Sequence, residues 1–152
     1  MKSDKDIYRI IDANLNRSRE GLRVCEEITR FVLNSPALTR ELKSIRHKIS
    51  NAAKDGSVGH SRLCASRDSE ADIGRCSKLP SEMKRADLVD IFAANMERAK
   101  ESIRVLEEVF KLIDKGTSAG FAKLRFRAYE VEKKTVKEIC SFKKGNTRRC
   151  HY

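Results

Sequence analysis

Two fifteen-residue stretches carry most of the side chains that could do chemistry. Residues 14–28 read "NLNRSREGLRVCEEI" and residues 95–109 read "NMERAKESIRVLEEV". Asn, Arg, Glu, Arg, Val, Glu and Glu recur at matched positions, and only the valine is apolar. A core needs apolar matter at helical spacing and has no reason to repeat polar letters. The repeated types suit a phosphorylated ligand. The guanidinium groups of Arg17 and Arg98 offer phosphate a planar bidentate partner that lysine cannot. The amides of Asn14 and Asn95 each present a donor and an acceptor. Glu20 and Glu101 follow those arginines by three residues.

A second group lies between the repeats. "CASRDSEADIGR" packs Arg67, Asp68, Glu70, Asp72 and Arg75 around Gly74. Such side chains can hold phosphate or a divalent ion, although composition alone reads as a solvated loop. No Gly-rich phosphate loop, no dinucleotide fingerprint and no nucleophile with a base beside it is present. An enzyme built from these residues would act by clamping phosphates and stabilising charge, with a divalent ion on Asp68, Asp72 or a helix glutamate.

Helices must position these groups. At about 100° per residue, Asn14 falls inside the apolar arc of Ile11, Leu15, Leu22 and Cys25, and Asn95 falls inside that of Phe92, Met96, Ala99 and Ile103. A buried amide without partners costs about 1–3 kcal/mol. The matched pair predicts either a shared polar pocket at a pseudo-twofold axis, or an Asn–Asn or Asn–backbone bond that fixes helix register. Arg23 with Glu26 and Glu27, and Arg104 with Glu107 and Glu108, read as surface pairs opposite the apolar stripe. "SIRH" and "KLRF" place Arg46 and Arg125 after an apolar residue, so each half offers two arginines for phosphate.

Ser3 and Asp6 resemble a capping box opening a helix that runs to about residue 33. "NSP" stops it, and Ser35 with Pro36 opens a second helix to about residue 53. A further helix spans about residues 83–114, ended by Gly116. Thr117 or Ser118 caps a last one to about residue 140. The expected fold is all-α: a bundle of two tandem, pseudo-twofold-related helical hairpins. The chain is expected to be a single helical domain over 1–152, with repeats at about 4–53 and 83–140. Between them, about 55–80 is read as a long loop without regular structure, and 141–152 as a basic, solvated tail.

With 152 residues, 39% apolar and 36% charged, the chain can bury one core. No apolar run approaches membrane-spanning length. The N-terminal residues carry no apolar leader, so a cytoplasmic protein is expected. Five cysteines without C-x-x-C spacing read as free thiols. The formal charge of +11 favours an anionic partner. Aromatics at 6% and the lack of a recognised motif argue against nucleic acid.

"RIIDANLNRSREGLRVCEEITRFVLN", "LKSIRHKI", "SRDSEADIG", "AANMERAKESIRVLEEVFKL" and "KLRFRAYEVE" resemble, over about residues 7–133, a small helical hydroxymethylpyrimidine phosphate kinase domain. In many bacteria that domain is fused N-terminal to thiamine-phosphate synthase. The resemblance implies ATP- and Mg2+-dependent phosphorylation of 4-amino-5-hydroxymethyl-2-methylpyrimidine phosphate to its diphosphate. It also implies association with thiamine-phosphate synthase, with a homodimer as a candidate assembly. By motif, Asp12, Asn14, Arg17, Glu20 and Arg23 fall in the first signature. Arg67, Asp68, Asp72 and Gly74 fall in the loop signature, and Asn95, Arg98, Glu101 and Arg104 in the second. The inferred roles are phosphate binding by Arg17, Arg67 and Arg98, Mg2+ binding by Asp68 and Asp72, and recognition of the aminopyrimidine by Asn14 or Asn95. These 152 residues do not include the synthase barrel, so a stand-alone protein or a piece of a longer one is expected, and the basic tail lies outside the pattern. The rival reading is a non-catalytic binder of a pyrimidine phosphate or nucleotide, which would not need the loop aspartates.

Overall fold

The computed structural model describes residues 4–55, 58–74 and 84–147, with backbone alone at 53–55 and 143–147. Ser3, Arg75, Cys76, Met83, Cys150 and the end of the basic tail lie outside the described residues. The elements are α1 (Asp4–Phe31), α2 (Pro36–Asp55), α3 (His60–Ser66), α4 (Leu88–Phe110) and α5 (Lys115–Thr147). No strand occurs among the described residues, and the fold is an all-α bundle. None of the described helices is long and apolar enough to cross a membrane.

Local chemistry explains most boundaries. Asn34 adopts φ 49°, a left-handed conformation that asparagine tolerates, and Ser35 N–H reaches back to the Thr29 carbonyl at 3.0 Å. Ser35 does precede α2, but its hydroxyl donates to Glu138 of α5 at 3.3 Å rather than capping. Four expectations change. The central stretch contains the helix α3. Helix α4 begins at Leu88, because Asp87 Oδ1 accepts the N–H groups of Val89 and Asp90 at 2.9 and 3.0 Å. Gly116 lies in the first turn of α5 and does not end α4; Asp114 caps α5, accepting from Gly116 and Thr117, in place of Thr117 or Ser118. Helix α5 continues to Thr147, so the tail begins as helix. The hydrogen bond from Thr117 Oγ1, then those from the Gly116 and Thr117 amides, hold the Asp114 carboxyl below its ordinary range. That cap contributes at neutral pH and is lost as the pH falls through the depressed value.

Helices α1 and α4 form the central pair, with α2 packed on α1 and α5 on α4. Ile11, Leu15, Leu22 and Cys25 meet Phe92, Met96, Ile103 and Leu106 between them. Leu42, Ile45 and Ile49 of α2 and Phe121, Ala128 and Val131 of α5 close the core from the other side. Gly21 marks a close approach between the central helices. A Cβ built there would stand 2.6 Å from the Asn95 carbonyl oxygen, so the two backbones can approach only because Gly21 has no side chain.

Each hairpin is locked by a buried glutamate between two arginines. Glu26, 3% exposed, takes Arg46 Nε at 2.9 Å and Arg23 at 3.2 Å. Glu107, 7% exposed, takes Arg125 Nε at 2.8 Å and Arg104 at 2.6 Å. These glutamates are therefore not surface pairs: the second helix of each hairpin folds over them and supplies a second cation.

Gly21→Ala should lower unfolding free energy by about 1–3 kcal/mol, because a backbone oxygen cannot step aside. Gly120→Ala, in open space on α5, should raise it by about 0.5–1 kcal/mol; urea melts compare the two. Glu26→Ala and Glu107→Ala should each destabilise by on the order of 2–3 kcal/mol, since each leaves a partly buried arginine unpaired. Near-equal losses in the same melts would confirm the equivalence of the two locks. Burial, and then the charge of Glu132, push the Cys25 thiol up to about 12. Near the ordinary thiol pKa of about 8.5, iodoacetamide should modify the exposed Cys140 in the native protein and reach Cys25 only after unfolding. Peptide mass mapping reads both.

Candidate functional site

The N-terminal half of α1 and the stretch after α3 enclose a cleft of about 820 Å³. Arg67, at the end of α3, turns back onto α1. Its Nε and Nη2 donate to the two carboxylate oxygens of Asp12 at 2.5 and 2.9 Å. This fork-on-carboxylate pair raises the Arg67 pKa, first through the hydrogen bond and then through the Asp12 charge. Arg9 adds a second tie, donating to the Asp68 carbonyl at 3.4 Å. The loop beyond is shaped by its own aspartates: Asp68 Oδ1 accepts Ala71 N–H at 3.2 Å and Asp72 Oδ1 accepts Gly74 N–H at 2.9 Å. Ile73, 99% exposed, stands at the cleft's rim.

Five of the residues expected from sequence meet here: Asn14, Arg17, Arg67, Asp68 and Asp72 all line this cleft. The others do not. Arg98, Glu20 and Glu101 are exposed on their helices and line neither this cleft nor the smaller one described next. Arg125 is spent on Glu107 and on the rings of Phe126 and Tyr129. Asn14 and Asn95 share no pocket. Asn95 packs its carbonyl at Gly21, and Asn14 lies seven residues before Gly21, about 10 Å along α1. Each amide instead donates to the carbonyl one turn back in its own helix, Ile10 or Ile91, at 2.8 Å. The Asn–backbone alternative holds, and both bonds are the same length.

A smaller cleft of about 370 Å³ lies on the other side of the Asp12–Arg67 bridge, against α2. Arg19, Arg46, His47, Ser50 and His60 line it, and Asp12, Asn16 and Arg67 face both spaces. Arg46, expected to touch phosphate, reaches this cleft with its Nε already held by Glu26. Arg9, Arg19, His47, Ser50 and His60 were not anticipated. Asp12, which the resemblance places in the first signature, is also marked by the repeat: Ala93 follows Phe92 in α4 where Asp12 follows Ile11 in α1, so the aspartate of the bridge has no counterpart in the second half.

The magnesium expectation rests on Asp68 and Asp72, which both line the large cleft. No group of three or more His, Cys, Asp or Glu side chains close enough to hold an ion occurs among the described residues. Asp68 and Asp72 thus offer a pair at most, and magnesium commonly takes one or two carboxylates, several waters and substrate phosphate oxygens.

The ThiD2 family matches residues 9–134. Three relatives are each named thiamine-phosphate synthase. That of Rhodopirellula baltica is 38% identical over 125 residues, covering 82% of this chain and 33% of the relative. That of Nostoc sp. is 39% identical over 127 residues, covering 83% and 34%. That of Synechocystis sp. is 40% identical over 126 residues, covering 83% and 35%. The chain therefore spans about a third of the length of these relatives. No solved structure matches it. With the family pattern covering both hairpins and the stretch between them, the chain belongs to the ThiD2 family.

Proposed function

We propose that this protein transfers the terminal phosphoryl group of ATP to hydroxymethylpyrimidine phosphate, forming the diphosphate used in thiamine biosynthesis. The observation that carries this reading is the convergence of Asn14, Arg17, Arg67, Asp68 and Asp72 on one cleft from two separate parts of the chain. The naming of the relatives supports the pathway, and thiamine-phosphate synthase is the protein partner it suggests.

The charge in the cleft supports a metal-bound polyphosphate. Arg9, Arg17 and Arg67 stand against Asp6, Asp12, Asp68 and Asp72, three positive groups against four negative ones. A bare triphosphate gains little from such a balance. Asp68 and Asp72 would hold a magnesium ion, which would supply neutralisation of phosphate charge. The chain's own residues then have defined tasks. Arg17 and Arg67 grip phosphate oxygens, Asp68 and Asp72 take the metal side, and Asn14, fixed by its bond to Ile10, reads a polar ring edge. The acceptor is itself a phosphate whose oxygen is already anionic, so the transfer needs no strong base.

Purified protein with ATP, magnesium and hydroxymethylpyrimidine phosphate should form the diphosphate. Arg17→Ala and Asp68→Ala should each lose roughly a hundredfold or more in kcat/KM, the scale of removing one group aimed at developing charge. Both should keep wild-type Tm, since Arg17 and Asp68 make no contact that closes the core. Tight, magnesium-independent binding of the pyrimidine phosphate with no turnover would move the protein to the binder class instead.

A further inference from the structure

We infer that the smaller cleft, lined by Arg19, Arg46, His47 and Ser50, is the phosphate monoester subsite, separate from the nucleotide's cleft. This rests on the kinase reading above and assigns its two substrates to two spaces.

The internal repeat supplies the comparison. Arg19 stands two residues after Arg17, and Lys100 stands two after Arg98, so the two cations are equivalent. Lys100 is fully neutralised: Glu97 and Glu132 each hold its Nζ at 2.7 Å, and the Tyr129 ring lies 5.5 Å away. Burial opposes its charge, but those two carboxylates prevail and raise its pKa. Arg19 has none of this. The counterpart of Glu97 is Asn16, and the counterpart of Glu132, seven residues after Arg125, is Ala53, seven after Arg46. Among the described residues Arg19 has no ion-pair or hydrogen-bond partner.

The same substitution pattern runs along the second helices. Phe126 and Tyr129 follow Arg125 by one and four residues; His47 and Ser50 follow Arg46 by one and four. In the second hairpin the two rings pack edge to face at 6.0 Å and cover Arg125 and Lys100. In the first hairpin, smaller polar groups leave an open cleft at that place. So one hairpin fills and neutralises the position, while the other leaves it open with an unpaired guanidinium. Arg46 is held by Glu26 through Nε alone. Counting Arg19, Arg46 and Arg67 against Asp12, this lining is cationic, whereas the large cleft is not. A phosphate monoester needs no metal to bind there.

The bridged pair Asp12 and Arg67, with Asn16, lines both spaces. Transfer would run past that pair. The bond from the terminal phosphorus to the β-phosphate bridging oxygen breaks as a bond to the acceptor phosphate oxygen forms. The nucleoside diphosphate leaves with the bonding electrons, and no proton has to move. Arg67, facing both spaces, can follow the charge through the transfer.

The test is calorimetric binding of hydroxymethylpyrimidine phosphate to the full chain in magnesium-free buffer with EDTA. Wild type should bind. Arg19→Ala should bind roughly tenfold more weakly or worse, the size of one lost charge-assisted hydrogen bond. Ser50→Tyr, which imports the plug of the second hairpin, should abolish binding, while Arg17→Ala and Asp72→Ala stay within about twofold of wild type. In turnover, Arg19→Ala should raise KM for the pyrimidine phosphate and leave KM for ATP unchanged. Equal affinity of Arg19→Ala and wild type, or affinity lost in Arg17→Ala instead, overturns the assignment, as does no binding by wild type. If binding follows the expected pattern but no diphosphate forms, the subsite stands and the kinase reading fails.

Discussion

At Gly21 the two central helices approach backbone to backbone, with no side chain between them. Helix α1 meets the carbonyl of Asn95 at Gly21, and nothing larger than hydrogen fits there. That contact sets how near the central helices lie, and therefore where every residue on them points. Cys25 reaches the Phe92 carbonyl at 3.5 Å because the helices are this close. The two Glu-centred locks then fix the outer helices to the inner pair. Asn14 and Asn95 stiffen the inner helices where the repeat begins, each closing on its own preceding turn. The repeated polar letters are thus largely devices of assembly. They recur because each hairpin is built in the same way.

The clefts add to the shared Asn14 and Arg17 a set of residues that the halves do not share. Asp12 against Ala93, Asn16 against Glu97, Arg19 against Lys100, His47 against Phe126 and Ser50 against Tyr129 are the differences that line the clefts. The stretch after α2 turns back as α3 and the Asp68–Asp72 loop, whereas the last helix simply continues. The repeat built the scaffold, and departures from it line the clefts.

This division explains what could be read from the sequence. Helix class, the hairpin plan and the stop at "NSP" follow from periodicity and turn chemistry, which are local. Five cleft residues were legible because Arg67, Asp68 and Asp72 are dense in one stretch and Asn14 and Arg17 sit one turn apart. Glu26 and Glu107 were misjudged because a helical wheel sees one helix, and it is the neighbouring helix that buries them. Arg98 and Arg125 stand apart from the large cleft for a related reason. Repetition marks them with Arg17 and Arg46, but Arg125 is paired with Glu107 and Arg98 lines neither cleft. The short helix α3 was missed because seven residues hold barely two turns of pattern.

The position two residues after Arg17 and after Arg98 shows how little separates structure from site. A cation there, Lys100, is half-buried beside an aromatic ring in one hairpin, and two carboxylates hold it. Desolvating a charge without partners is costly, so removing those carboxylates would leave the second hairpin unstable. The first hairpin solves the same problem differently. It keeps the cation but exchanges the rings for small polar groups, so that water, or a ligand's phosphate, provides the solvation. An unpaired arginine in an open cleft is stable when empty and gains when an anion arrives. The geometry that would be a packing fault in one half is binding capacity in the other.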